Sequence, residues 1–393
     1  MIDFKVLMDI FSIPRPNGSK AERITLEALI NWLTDHHIPF IVNSFRQYPY
    51  FFDAIGLWII LSRTLLAVAY FFHLGWVTFL IALVGLAGGT LDIVIHLHLI
   101  TWPGFKRGQN IIIEFLPENA KKELILAAHY DTKTELLDHH QRMLLLKNLR
   151  LGIIVTLIIG ILGPIEYYFL SYQSPWSYYS MGLGIGLIIP MLLLAWALGI
   201  NLVSGRFLNP SQGAVDNGAA CAILLSLANE LNSTTLSHDR TKITLALFTG
   251  EEVNMQGSRA YAGSREWNYP TMAINLEVMA QNGKYVYWEQ DGNSLTLMAT
   301  TDTANQLIQS SVYEITGYPA EPAGSVNSDG YSFLSRGIST GILGTYDIHW
   351  KDTGFHRPSD NLQRVVMERL PQGVDLLKTL ITKYDQEEAQ DDT

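Results

Sequence analysis

Two adjacent carboxylates, Glu251 and Glu252, close the run Thr244-Leu245-Ala246-Leu247-Phe248-Thr249-Gly250. An apolar run of this length reads as a buried strand of an α/β sheet, and such sheets present their chemistry at the C-terminal ends of strands. Two carboxylates side by side repel each other unless something cationic holds them. A metal that takes one leaves the other free to act as a base; standing alone, the pair reads more readily as a solvated turn. His129 and Asp131 lie two apart on a second strand, 124–131, hence on one face, where a carboxylate can orient an imidazole that binds a metal. Asp216 closes the loop Gly213-Ala214-Val215-Asp216-Asn217-Gly218 ahead of a helix, as a helix cap or as a ligand. Glu277 ends the strand Ala273-Ile274-Asn275-Leu276, and His356 sits in the turn-like Gly354-Phe355-His356-Arg357-Pro358-Ser359-Asp360. Singly, each residue has a bland reading. Jointly they form a set of imidazole and carboxylate donors at strand ends and in loops. Without thiolate, such donors suit zinc or a similar divalent ion. Two histidines and three carboxylates, one of them bridging, suffice for a pair of ions about 3.5–4 Å apart.

Elements of an α/β domain must carry these residues. Residues 1–38 read as helical, with Ser19 and Glu22 spaced as a capping box and Ile24, Leu26, Leu29, Ile30 and Leu33 recurring at helical spacing. Strands are expected at 39–46, 109–117, 124–131, 242–249, 272–279 and 337–344, with a helix at 217–231. Strands interleaved with helices imply a layered sheet with helices on both faces.

Two segments do not fit a soluble layer. Residues 54–72 and 76–100 are almost wholly apolar around a turn at His73-Leu74-Gly75, and a second pair follows at 151–170 and 181–203. Runs of this length joined by short turns read as helical hairpins able to span a bilayer, four helices in all. Arg63 and Asp92 are costly against lipid and are expected to face the bundle or an interface, and His96 and His98 add polar groups to the first hairpin. Gly85 with Gly89, and Gly182 with Gly186, have the spacing that lets membrane helices approach closely. Arg46, Lys106, Arg107, Lys147, Arg150 and Arg206 flank the joins, while the turns carry no Lys or Arg. The second turn is rich in aromatics: Tyr167, Tyr168, Phe169, Tyr172, Trp176, Tyr178 and Tyr179. The positive-inside rule then places the soluble segments and both termini in the cytoplasm.

The totals agree. Of 393 residues, 48% are hydrophobic and only 16% charged, which points to a membrane portion and a lipid bilayer as partner. The net charge of −10 argues against a nucleic-acid partner. The single cysteine, Cys221, excludes an intrachain disulfide and fits a reducing compartment, and the N-terminus lacks the pattern of a signal peptide. The expected division is a discontinuous catalytic domain over 1–50, 101–145 and 205–385, hairpins at 51–100 and 146–204, and an acidic tail at 386–393.

The motifs as a set resemble the M28 family of zinc peptidases, the aminopeptidase and glutamate-carboxypeptidase group. The matching segments are His129-Tyr130-Asp131-Thr132, Gly213-Ala214-Val215-Asp216-Asn217-Gly218-Ala219, Phe248-Thr249-Gly250-Glu251-Glu252, Gly257-Ser258-Arg259-Ala260-Tyr261, Asn275-Leu276-Glu277, Ser328-Asp329 and Phe355-His356. The resemblance implies a three-layer α/β/α zinc-exopeptidase domain with a mixed, mostly parallel sheet. It also implies two zinc or other divalent ions bridged by Asp216, one completed by His129 and Glu277, the other by Glu252 and His356. By the same resemblance Glu251 is the general base, Asp131 supports His129, and the substrate is a short peptide cleaved at its N-terminus. This chain departs from the family in three ways: Glu277 stands where Asp is frequent, Phe355 stands where some members have Tyr, and the two hairpins interrupt the domain. Tyr346 is the candidate to replace the missing tyrosine at the oxyanion or substrate. Two other functions fit the same fold: a glutaminyl-cyclase-like acyltransferase using one zinc, or a non-catalytic membrane scaffold. The scaffold would be expected to have lost the base or a ligand, and none is missing here.

Overall fold

The protein is described from a computed structural model that covers residues 2–94, 101–233, 238–293, 295–346 and 354–387. In chain order the helices are α1 (Phe4–Ile10), α2 (Lys20–Asp35), α3 (Phe51–Phe71), α4 (Trp76–Val94), α5 (His139–Lys147), α6 (Leu149–Ser171), α7 (Trp176–Ser204), α8 (Ala219–Asn232), α9 (Gln256–Ser264), α10 (Asp302–Thr316), α11 (Tyr331–Leu334) and α12 (Arg369–Gln386). The strands are β1 (Ile41–Gln47), β2 (Lys106–Phe115), β3 (Lys122–His129), β4 (Thr241–Phe248), β5 (Thr271–Glu277), β6 (Lys284–Asp291), β7 (Met298–Ala299), β8 (Glu321–Val326) and β9 (Ser339–Tyr346). The chain divides into two compact units, one from Met1–Pro49, Phe105–Thr134 and Asn209–Thr393, the other from Tyr50–Gly104 and Glu135–Leu208.

The first unit is a nine-stranded mixed sheet in the order β1-β2-β4-β3-β5-β9-β6-β7, with β8 paired to β6. Its centre, β4-β3-β5-β9, is parallel, and β1, β2 and β6 join antiparallel at the flanks. The register sets His129 beside Phe248 and Glu277 beside Gly344, so the ends of the central strands open on one edge of the sheet. The central strands read as unbroken apolar runs because both faces are covered. Leu124, Leu126 and Ala128 of β3 join Ile243, Leu245 and Leu247 of β4 and Ile274 and Leu276 of β5 in a core shared with α1, α2, α8, α10 and α12. The alternate residues Ile125, Ala127, Ala246, Phe248 and Ala273 turn to the opposite face, where Tyr261 of α9 and Phe333 of α11 cover them. That face is the thinner one, and Phe248 fills it with ring centroids 5.5 Å from Tyr261 and 6.2 Å from Phe333.

The N-terminal region is not one helix, as its periodicity suggests, but two. Pro14 and Pro16 lack the N–H a helix interior requires, and Gly18 takes a left-handed φ of 71°, so residues between α1 and α2 run as a loop. Ser19 then caps α2 by accepting from the Glu22 N–H at 3.0 Å. Strands β6, β7 and β8 and helices α10 and α12 complete the layers beyond the expected elements.

The second unit is a bundle in which α3 packs on α4 and α7, and α6 packs on α4 and α7. Among the described residues, four helices are long and apolar enough to cross a membrane: Phe51–Phe71, Trp76–Val94, His140–Ser171 and Trp176–Ser204. The last two start before the apolar runs expected at 151–170 and 181–203: α5 adds a polar turn ahead of α6, and Trp176, Tyr178 and Tyr179 belong to α7 rather than to the turn. Asp92 is buried, and the half-buried Arg63 donates from Nη1 to Gly85 O at 2.8 Å. A Cβ on Gly85 would lie 2.9 Å from Ser62 Cβ, the close approach expected there, whereas Gly182 and Gly186 face open space. Gly160 and Gly163 do that work against Ala82 and Thr78 instead. His96 and His98, and the acidic tail from 388 onward, lie outside the described residues.

Candidate metal centre

The edge formed by β3, β4 and β5 gathers the donors. At the exit of β4, Gly250 has φ 81°, a left-handed conformation that a side chain strains, and the chain folds at once into a tight turn holding Glu251 and Glu252. Asn254 and Met255 continue left-handed, and the turn is closed by Met255 N to Glu251 O at 2.9 Å and Gln256 N to Gly250 O at 2.7 Å. Both glutamates are thereby buried side by side.

His129 Nε2 lies 3.3 Å from Asp216 Oδ1, 3.8 Å from Glu277 Oε2 and 3.9 Å from Glu251 Oε2. His356 Nε2 lies 3.4 Å from the other oxygen of Asp216 and 2.9 Å from Glu252 Oε1. These contacts define two groups of donors, His129-Asp216-Glu277 and Asp216-Glu252-His356, each with its atoms within 4.8 Å of one another. Asp216 belongs to both. Donors bonded at about 2.0–2.2 Å to a tetrahedral ion stand roughly 3.3 Å apart, close to the two Asp216 distances. The donor set and its spacing therefore fit a divalent ion in each group.

Electrostatics points the same way. Among the described residues, the ion-pair partners of these carboxylates are the two histidines. Burial raises the Glu251 carboxyl well above the usual range, and the charges of Glu252 and Glu277 add to that against His129. Glu277 is raised likewise, by burial and then by Asp216 against the pull of His129. For His129, burial works against the charged form, but Glu251, Asp131 and Asp216 outweigh it and lift its pKa well above normal. Asp216 is opposed by burial yet held far below the normal range by its two histidines. Divalent cations would relieve the strain that crowding imposes on the acids.

Asp131 stands 3.6 Å from His129 Nδ1, which is nearer the Asp131 backbone oxygen at 3.2 Å. Its carboxylate accepts instead from Glu252 N at 3.0 Å, Glu251 N at 3.4 Å and Asn17 Nδ2 at 2.7 Å. It thus fixes the glutamate turn as much as the imidazole. Asn217 donates to Leu276 O at 2.6 Å and Glu277 Oε2 at 3.3 Å and accepts from Val278 N at 3.2 Å, tying the Asp216 loop to β5. Asn275 holds the other oxygen of Glu277 at 2.8 Å. Tyr346 ends β9 and packs with the cluster of Val286, Trp288, Ala323 and Ile342.

Three side chains near the donors were given no role by the sequence reading, though Ser328-Asp329 was one of its matching segments. Asp360, two residues beyond the Arg-Pro pair after His356, accepts from Val215 N at 2.8 Å and Asp216 N at 3.2 Å. Asp329 is buried close enough that its charge raises Glu251 and Glu277, and burial pushes its own pKa to about 7. Arg15, in the N-terminal loop, is fully buried and has no apolar periodicity to mark it.

Residues 200–379 match the model of peptidase family M28. The match contains Asp216, Glu251, Glu252, Glu277 and His356, while His129 and Asp131 precede it. No curated protein matches in sequence. Among solved structures, a zinc aminopeptidase from Bacillus subtilis is 12% identical with a TM-score of 0.57, over 99% of this chain and 97% of that one. A Zn-dependent exopeptidase from Parabacteroides distasonis is 13% identical with a TM-score of 0.55, over 96% and 94%. A glutaminyl cyclase from Macrostomum lignano is 14% identical with a TM-score of 0.52, over 97% and 88%. At these identities the likeness is one of fold: the three-layer zinc-exopeptidase architecture.

Proposed function

We propose that this chain is a membrane-integral di-zinc metallopeptidase, an aminopeptidase that removes N-terminal residues from short peptides on the cytoplasmic side. The observation that carries the reading is the sharing of Asp216 between two donor groups, with Glu251 beside them but in neither. His129, Asp216 and Glu277 would hold one ion, and Asp216, Glu252 and His356 the other. When bound, the metal would supply a Lewis acid and lower the pKa of the attacking water. Glu251, buried beside both donor groups and a member of neither, takes the proton from the attacking water. It then returns the proton to the leaving amine. Asp131 keeps Glu251 and Glu252 in place through their backbone N–H groups. Four helices long and apolar enough to cross a bilayer support membrane integration, and the basic residues at the joins support the cytoplasmic orientation.

A second reading, glutaminyl-cyclase-like acyl transfer with one zinc, is favoured by the structural likeness to glutaminyl cyclases. One experiment separates them: purified protein is analysed for zinc and assayed against aminoacyl reporters and an N-terminal glutaminyl peptide. Close to two zinc ions and hydrolysis that Glu251→Gln abolishes support the peptidase. One ion with cyclisation and no hydrolysis supports the second reading. A metal-free protein inert on both substrates overturns each.

A further inference from the structure

The loop between α1 and α2 reads Pro14-Arg15-Pro16-Asn17-Gly18-Ser19, and its arginine is wholly buried. A guanidinium cannot shed its charge in a protein, so burial demands that its donors be met. They are met by backbone oxygens. Nε donates to Tyr130 O; Nη1 faces Phe11 O at 3.0 Å, Ile13 O at 3.2 Å and Gln212 O; Nη2 donates to Gly213 O at 2.8 Å. The main chain of Arg15 pairs with Thr132 as well, N to Oγ1 at 2.9 Å and O from the Thr132 N–H at 3.2 Å.

The choice of acceptors is what matters. Tyr130 lies between His129 and Asp131 at the exit of β3, and Gly213 opens the loop that carries Asp216. Those two segments are joined through one rigid planar group, and the His129 Nε2 to Asp216 Oδ1 spacing of 3.3 Å is set between them. Two residues on, Asn17 donates to Asp131 Oδ2 at 2.7 Å and accepts from Gln47 Nε2. We infer that Arg15 is a positioning residue of the metal centre, with Asn17 as its second arm: the loop clamps the His129 strand end against the Asp216 loop and fixes the distance between their donors. The inference rests on the proposal that His129 and Asp216 are metal ligands. A lysine keeps the charge but presents a point donor instead of the planar fork, so Arg15→Lys removes the clamp while leaving the charge.

The test uses the full-length protein in detergent, with zinc affinity measured by competition against a chromogenic chelator and secondary structure by circular dichroism. Wild type, Arg15→Lys and Asn17→Ala are compared. Groups that orient metal ligands typically change affinity 10–100-fold, so Arg15→Lys should weaken zinc binding by about that factor and Asn17→Ala by about tenfold, with unchanged helix content. On an aminoacyl substrate kcat should fall more than KM, because the shared ligand is displaced rather than the substrate site. Folded variants that bind zinc as wild type does overturn the inference. If Arg15→Lys does not fold, Asn17→Ala, which deletes one side-chain bond to Asp131, decides by the same criterion. A wild-type protein that takes up no zinc overturns the metallopeptidase reading and this inference with it; normal uptake in wild type and variants alike overturns this inference alone.

Discussion

The two donor groups share Asp216 but are held by different parts of the chain. His129, Asp216 and Glu277 are all buried, and the first and last of them end central strands of the sheet. Asn275 and Asn217 fix the carboxylate of Glu277, and Asp360 fixes the backbone at Asp216. In the other group, Glu252 sits on a tight turn and His356 is partly exposed on a loop, with left-handed backbone at both Gly354 and His356. One group is part of the sheet, and the other is brought to it by connections. On the proposed two-ion reading, the groups should differ in affinity, the His129 side holding its ion more tightly.

The strongest attack on this comparison is Asp216→Asn, which weakens both groups at once. Zinc content should fall below half of wild type and hydrolysis to near background, measured by metal analysis and reporter turnover. Loss of only one ion would show that the groups do not depend on Asp216 equally. Next in size, Glu251→Gln should cut kcat by about 10²–10⁴-fold while both ions stay bound, since Glu251 belongs to neither group. A drop in zinc content would move Glu251 into the ligand set.

The sharpest test pairs His356→Ala with His129→Ala. The first should release one ion and leave the tighter one within about tenfold of its wild-type affinity; the second should weaken the tighter ion by far more than tenfold. Equal losses would erase the distinction between the halves. The smallest effect concerns the support of the glutamate turn. Glu22 accepts from Gly18 N at 2.6 Å and from Thr249 Oγ1, at the end of β4, and burial raises its pKa from 4.5 to about 7. Between those values the folded protein keeps a proton that the unfolded chain has released. Stability should therefore fall as pH rises from 4.5 to 7, by up to about 3 kcal/mol, and level off above. Glu22→Gln should flatten that slope in melting curves taken across the window; an unchanged slope would assign it to other groups.

Much of the sheet and most of the donor set were legible in the sequence, for a physical reason. Strands covered on both faces must be continuously apolar, so β3, β4 and β5 announce themselves, and the chemistry follows immediately at their ends. β6 and β8 mix exposed with buried residues in no regular order and lie at the flank, where the pattern is weaker. Helix periodicity ran through Pro14 and Pro16 because the apolar residues on either side happen to keep phase; the prolines were the signal to stop. Arg15 and Asp360 were not legible at all. Their partners are backbone atoms of segments far away in sequence, and no spacing rule reports a bond from Arg15 to Gly213. Gly182 and Gly186 misled for the converse reason: small-residue spacing shows that a close approach is permitted, not that a neighbour is there.

The places where the sheet is interrupted have a further consequence. The first hairpin falls between β1 and β2, which pair with each other, and the second between β3 and β4, which also pair. A ribosome making this chain releases the strand bearing His129 first, then two long apolar helices, and only afterwards the strand leading to Glu251. Until then β3 lacks both of its neighbours, β4 and β5, a state prone to misassociation. The synthesis of the second hairpin thus sets when the sheet can close, and truncated products ending before Thr241 should be cleared or clump rather than persist as soluble half-domains.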